Sequence, residues 1–185
     1  MIKKISRKQF LLDFPEIPQS NYKTDEYTFP QVYDSYILTL SSKSARGHAK
    51  LLGVELSKLM ANLNINNLSF LGDTRLPWLY QDNDYSPVKQ ALQYLSVNKV
   101  SKSFNGALNV DLNSLPEFII HFFWLIRCNA ALPYFNFTDT SFNIVGSICQ
   151  YGNVHLSILN EETDEVFEKA LLQTKFVVFD DNSCY

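Results

Sequence analysis

The stretch EFIIHFFWLIRC, residues 117–128, is the most apolar part of the chain and says most about its fold. Between positions 118 and 126 only His121 is polar, so a helix here is apolar on every face instead of on one stripe. A membrane-spanning helix needs about 20 such residues. Nine are too few, and Glu117 and Arg127 bracket them with charge. The stretch therefore predicts a central helix in a protein core. Its buried residues should be Phe118, Phe122, Trp124 and Leu125.

The sequence on either side of this helix marks its two ends. SLPE, residues 114–117, has the pattern of a capping box, in which Ser and Glu side chains bond the free backbone N–H groups of the first turn. Pro116 fits a first helical turn, and Pro133 limits the far end. The expected helix spans about residues 115–131.

Helices and strands alternate along the rest of the chain. Helical signals occur at 6–14, at 44–64 with Ser44 as cap, at 86–95 with Ser86 as cap, and at 161–173. Strand signals occur at 36–40, 67–72, 106–112, 134–138, 142–150, 153–159 and 175–179. Residues 15–35, rich in Pro, Tyr and Asp, are expected to be irregular.

These elements predict an α+β fold. The strands at 142–150 and 153–159 meet at Tyr151 and Gly152, which is the signal of a C-terminal hairpin. We expect a mixed or mainly antiparallel sheet packed around the buried central helix. A length of 185 residues suits one domain, 1–185, and 46% hydrophobic against 19% charged residues argues against disorder.

Charge and cysteine content narrow the class of protein. The first 50 residues carry eight Lys and Arg against five Asp and Glu, whereas residues 151–185 carry two against seven. The net charge of −3 therefore gives no support for nucleic-acid binding. Three cysteines, and an N-terminal apolar run too short for a signal peptide, predict a cytoplasmic protein.

An enzymatic site would have to use His121, His155, Cys149 or Arg127. Glu117 precedes His121 by one helical turn and could orient it, but a buried histidine with one hydrogen bond explains the position better. The chain has none of the close Cys and His pairs of structural zinc sites, and no glycine signature of a nucleotide site. No cofactor and no metal are therefore predicted.

The length of the hairpin loop decides whether Cys149 and His155 can meet. A two-residue turn at Tyr151 and Gly152 would put Cys149 and His155 on opposite faces of the sheet. A three-residue loop would reverse that.

Two segments are candidates for binding a partner. The first is the loop LGDTRLPWLYQ, residues 71–81, whose Arg75, Trp78 and Tyr80 are residue types enriched at interface hot spots. A Pro-Trp pair folded back on the core would explain the same loop. The second segment is a group of acidic residues near the C-terminal end of the sequence. A run of acidic residues is also typical of the solvated face of a helix. The residues of the second segment are Glu161, Glu162, Asp164, Glu165, Asp180 and Asp181.

The stretch HFFWLIRCNAALPYF, residues 121–135, with CQYGNVHL, residues 149–156, resembles bacterial immunity proteins that neutralise polymorphic or contact-dependent growth inhibition toxins. The resemblance covers the last third of the chain. It implies a small protein that binds and blocks one toxin domain, which could be a nuclease. Two other functions stay open: an enzyme built on His121, His155 or Cys149, and an adaptor subunit that docks through the loop of Arg75.

Overall fold

The computed structural model describes residues 1–21, 26–81, 84–129, 132 and 134–179. Within these residues the helices are α1 (Arg7–Asp13), α2 (Ala45–Asn62), α3 (Ser86–Val97), α4 (Leu115–Cys128) and α5 (Glu161–Leu171). The strands are β1 (Ile2–Ile5), β2 (Gln19–Asn21), β3 (Glu26–Thr28), β4 (Asp34–Thr39), β5 (Asn67–Gly72), β6 (Ala107–Asp111), β7 (Phe135–Thr138), β8 (Ile144–Ile148), β9 (Val154–Ile158) and β10 (Val177–Val178).

One eight-stranded antiparallel sheet organises the fold, in the order β1-β6-β5-β7-β8-β9-β4-β10. Strands β1 and β10 lie at the two edges of this sheet. The α+β class, the mainly antiparallel sheet and the C-terminal hairpin β8–β9 are confirmed. The region expected to be irregular is partly ordered, because β2 and β3 pair with each other in a small second sheet.

Helix α4 packs against α2, α3 and β6, and its buried side chains belong to the main core, which confirms that it is the central helix. Phe118, Phe122 and Leu125 are each about 1% exposed. Trp124 corrects the prediction, because it lies in the partly exposed part of α4 and makes an edge contact with the exposed Tyr85, 6.2 Å between centroids. The helix is apolar all round, but one side of it remains near solvent beside α3.

A glycine sets how closely α2 and α4 approach each other. Gly53 is buried in the middle of α2, and a β-carbon at this position would lie 2.5 Å from the carbonyl oxygen of Pro116. No side chain fits at such a distance from backbone. The absence of a side chain at Gly53 therefore lets the two helices touch at this point.

The helix caps agree with the sequence in one case and differ in two. Ser44 accepts a hydrogen bond from the Gly47 N–H at 3.1 Å and caps α2 as expected. Ser114 makes no capping bond to α4, because its hydroxyl accepts a bond from the amino group of Met1. Ser86 is the first residue of α3 and not its cap, which is Tyr85.

The opposite face of the sheet is covered over only part of its width. Phe10 of α1 and the following Ile17 pack on Leu71, Ala107 and Val145, in the middle of the sheet. Five other residues of β8, β9 and β4 on this face are partly exposed. These are Ser147, His155, Ser157, Ile37 and Thr39. Within the described residues, one half of this face is thus left open to solvent.

Candidate functional site

The predicted acidic segment forms the start of helix α5. Asn160 caps this helix by accepting a hydrogen bond from the Thr163 N–H at 2.9 Å, and carboxylates in the first turn favour the positive end of the helix dipole. Glu161, Glu162 and Glu165 are exposed and Asp164 is partly buried. Asp180 and Asp181 lie outside the described residues.

The fold adds a fifth carboxylate to this group. Asp34 begins β4 opposite Ile158, the last residue of β9, so it lies where α5 starts. The Tyr36 hydroxyl donates to Asp34 at 3.1 Å and to Asp164 at 2.9 Å, which ties the strand to the helix. Burial, followed by these two bonds, raises the pKa of Tyr36.

An exposed tyrosine lies among these carboxylates. Tyr33 is 53% exposed, and its pKa is raised mainly by the negative charge of Glu161, with smaller contributions from Asp164 and Glu165. We call Tyr33, Asp34, Glu161, Glu162, Asp164 and Glu165 the acidic surface. No sequence signal pointed to Tyr33 or Asp34, since only the pairing of β4 with β9 brings them to α5.

Across the described part of the chain, the carboxylates of the acidic surface have no cationic partner. The ion pairs present there join the Met1 amino group to Asp111 and Lys89 to Asp84. Neither involves α5 or β4. Within the described residues, the carboxylates of the acidic surface therefore take part in no ion pair.

The loop of residues 71–81, the first binding candidate, lies partly in the core and partly on the surface. Trp78 is 1% exposed, its indole N–H donates to the Gly106 carbonyl at 2.8 Å, and its ring lies 4.3 Å from that of Phe135. This burial corrects the assignment of Trp78 to a partner surface, because the side chain is enclosed by the core. Arg75 and Tyr80 remain exposed.

A cleft of about 600 Å³ lies where β8, β9 and the end of α4 meet. Tyr134 and Tyr151, which are 74% and 45% exposed, contribute aromatic rings to its lining. Ser147, Cys149 and His155 supply polar groups. Ile126 and Leu132 are among its apolar residues. Its described lining contains no Lys, Arg, Asp or Glu.

The hairpin loop is three residues long, so of the two loop lengths that the sequence left open the longer one is present. The Cys149 N–H donates to the Asn153 carbonyl at 3.0 Å, and Ile148 pairs with Val154, so the loop consists of residues 150–152. Ser147 pairs with His155, and Cys149, two residues further on, points to the same face. Cys149 and His155 therefore share one face and line the same cleft.

Contacts from two helices fix the loop that follows Cys149. Gly152 has φ +86°, a conformation that strains any other residue, and its carbonyl lies 3.1 Å from Nε2 of His48 on α2. Arg127 of α4 donates to the Gln150 carbonyl at 2.9 Å. The loop is thus held on the ends of α2 and α4, and the end of β8 is held with it.

His121 lies apart from this cleft. Its ring stacks on Tyr94 of α3 at 4.2 Å, and burial lowers its pKa, an effect that the nearby Glu117 partly opposes. Burial also raises the pKa of the Cys128 thiol at the end of α4. The structure therefore places Cys149 and His155 in the lining of one cleft and leaves His121 in a packing role.

The buried position of His121 makes a prediction about acid stability. The unfolded chain titrates near the ordinary pKa of about 6.5, whereas the folded pKa is lower, so protonation favours the unfolded state. The free energy of unfolding should fall as the pH is lowered from about 7 to 5. His121→Phe, which keeps an aromatic ring against Tyr94, should reduce that fall in urea titrations. Parallel pH profiles for the two proteins would contradict this.

Among the described residues, no three His, Cys, Asp or Glu side chains are grouped closely enough to hold a metal ion. The described helices include none with the length and apolar character needed to cross a membrane. Comparison of the chain with protein family models, with curated proteins and with solved structures gives no match. The functions of the acidic surface and of the cleft are therefore inferred from the residues that form them.

Proposed function

We propose that this chain is an immunity-type binding protein, which neutralises a basic toxin domain by direct contact with its acidic surface. The observation that carries the proposal is the grouping of carboxylates from β4 and α5, of which Glu161, Asp164 and Glu165 act on the exposed Tyr33, with no cationic partner in the described part of the chain. A local excess of negative charge of this kind attracts a positively charged partner.

The physical fit to a basic partner has two parts. Complementary charge accelerates encounter and selects the partner, and it is strongest for a cleft lined with Lys and Arg, such as that of a nuclease. Tyr33 adds an amphipathic ring of the type enriched at protein interfaces. The resemblance of residues 121–135 and 149–156 to immunity proteins points to the same function.

Charge reversal on α5 should slow binding to the toxin. In the double variant Glu161→Lys, Glu165→Lys, we expect the association rate constant to fall about 10-fold at low salt and its salt dependence to weaken. Folding should change little, because exposed charges contribute little stability. Surface plasmon resonance with an inactivated toxin domain measures the rates, and growth rescue during toxin expression measures neutralisation.

A matched control carries the same change in net charge elsewhere. Asp84→Lys with Glu117→Lys alters two exposed carboxylates on the α3–α4 side of the molecule. If this pair slows association as much as the α5 pair, the effect is one of net charge and the acidic surface is not the interface. If Tyr80→Ala alone raises the dissociation rate, the loop of Arg75 and Tyr80 is the interface instead.

A further inference from the structure

We propose that the cavity beside helix α1 is a binding site for a phosphate monoester that carries an apolar group. The cavity has a volume of about 530 Å³, and its described lining shares no residue with the acidic surface. The proposal does not rest on the proposed toxin binding. The lining residues come from α1 and from two loops, and they are Arg7, Lys8, Leu11, Leu12, Arg75 and Asn105.

The lining of this cavity is positively charged. Three of its described side chains are cations, and none of them is a carboxylate. Lys8 and Arg75 are both exposed, and neither takes part in an ion pair in the described part of the chain. Their two positive charges are therefore available to an anion in the cavity.

Helix α1 brings positive charge and apolar surface to the same side. Residues three and four positions apart are neighbours on a helix, so Lys8, Leu11 and Leu12 lie together. Leu12 is 66% exposed. The carboxylate of Asp13 lies about 140° around the helix from Lys8 and accepts a hydrogen bond from Gln9 at 2.7 Å. This side of α1 therefore suits a ligand in which an anionic group adjoins an apolar one.

Arg7 fixes the loop that follows strand β5. Its guanidinium donates to the carbonyls of Gly72 at 2.8 Å, Thr74 at 2.6 Å and Asp73 at 3.2 Å. Burial raises the pKa of Asp73, and the positive charge of Arg7 partly opposes that shift. The charge of Arg7 thus acts on this loop, and the other two cations of the cavity supply the charge for a ligand.

The same loop is also held by the segment of residues 104–106. The Asn105 side-chain amide donates to the Arg75 carbonyl at 3.0 Å, and the Trp78 N–H donates to the Phe104 carbonyl at 3.0 Å. The Trp78 indole bonds the Gly106 carbonyl as well. Because the backbone is already fixed at these points, ligand binding has to order little more than the Arg75 side chain.

The number and type of the cations define the class of ligand. A phosphate monoester carries a charge of about −1.5 to −2 at pH 7, which matches two cations better than the single charge of a carboxylate does. Arginine bonds phosphate oxygens in pairs, and lysine binds phosphate as a point charge. The volume lies within the range of small-molecule sites, roughly 300–1,000 Å³. Leu11 and Leu12 suit a short alkyl chain.

Two sources carry this chemistry, a soluble phosphate ester and the headgroup of phosphatidic acid in a membrane. The test begins with hexyl phosphate as the probe and the purified chain of residues 1–185. Two-dimensional amide NMR spectra locate the binding, and isothermal titration calorimetry measures the Kd. We expect saturable shifts in α1 and in the loops of Arg75 and Asn105, and a Kd that rises with added salt because exposed charges are screened. Hexanoate should bind about 10-fold more weakly, since it carries a single charge.

Substitutions at the two cations test their role. Lys8→Gln and Arg75→Gln should each weaken hexyl phosphate binding about 10-fold, because each removes one charge-assisted contact. Lys58→Gln, which removes the same charge from an exposed position of α2, is the matched control and should leave the Kd unchanged. Leu12→Ser should weaken the binding of hexyl phosphate but not that of inorganic phosphate. All four positions are exposed, so the variants should fold, and thermal unfolding checks this.

Vesicles distinguish the two sources of the phosphate group. Sedimentation of the chain with phosphatidylcholine vesicles that contain phosphatidic acid, reduced by Lys8→Gln and Arg75→Gln, assigns the lipid headgroup. Saturable binding of hexyl phosphate without such sedimentation assigns a soluble ester. The proposal is overturned if neither probe binds, if the NMR shifts lie outside this cavity, or if Lys58→Gln weakens binding as much as Lys8→Gln does.

Discussion

Replacing Trp78 with alanine is expected to lower the free energy of unfolding by about 3–5 kcal/mol, the range for truncating a buried aromatic side chain. Trp78 is 1% exposed and its ring contacts those of Phe118, Phe122 and Phe135. The change also leaves the Gly106 carbonyl without its donor. Urea unfolding followed by circular dichroism measures the effect.

A second tryptophan provides the control for this experiment. Trp124 is partly exposed on α4, so Trp124→Ala leaves a shallow surface depression and not a closed cavity. It should cost clearly less than Trp78→Ala. If the two variants lose equal stability, or if Trp124→Ala loses more, the core is centred on α4 alone and the placement of Trp78 is wrong.

Introducing a side chain at Gly53 is expected to destabilise the protein although it improves helix propensity. Gly to Ala in a helix interior ordinarily contributes about 1 kcal/mol of stability. Here the new β-carbon would lie 2.5 Å from the Pro116 carbonyl oxygen, so α2 and α4 must move apart. We expect Gly53→Val to cost about 3 kcal/mol, the upper part of the overpacking range, and Gly53→Ala less.

A substitution at the next residue, Val54, separates the effect of helix propensity from the effect of the close contact between α2 and α4. Val54 is 53% exposed on the same helix, and Val54→Ala should change stability by only a few tenths of a kcal/mol. Thermal and urea unfolding of Gly53→Ala, Gly53→Val and Val54→Ala give the comparison. A stabilising effect of Gly53→Ala would show that the helices do not touch at this point.

Features that depend on local pattern could be predicted from the sequence. Residues 118–126 are apolar on nearly every side, and only a core helix can satisfy such a stretch in water, so the position of α4 follows from its own residues. The alternation of β8 and β9 predicts the hairpin for the same reason. The caps are less predictable, because the Ser114 hydroxyl has a second possible partner in the Met1 amino group.

Part of the candidate sites could also be predicted. The acidic run of α5 is contiguous in sequence, and its exposure follows from its charge. Tyr33 and Asp34 are far from α5 along the chain, so no local pattern connects them to it. The common face of Cys149 and His155 could not be predicted, because the turn signal at Tyr151 and Gly152 does not fix the length of the loop.

The buried helix α4, the antiparallel hairpin and the acidic helix α5 follow from the local sequence alone. The physical reason is that hydrophobic burial and charge solvation act on each segment through its own periodicity. The position of Trp78 in the core, the position of Trp124 near its edge and the common face of Cys149 and His155 follow only from the packed fold. Those outcomes depend on register and on close packing between segments distant in the chain, and a one-residue difference in a loop reverses which face a side chain takes.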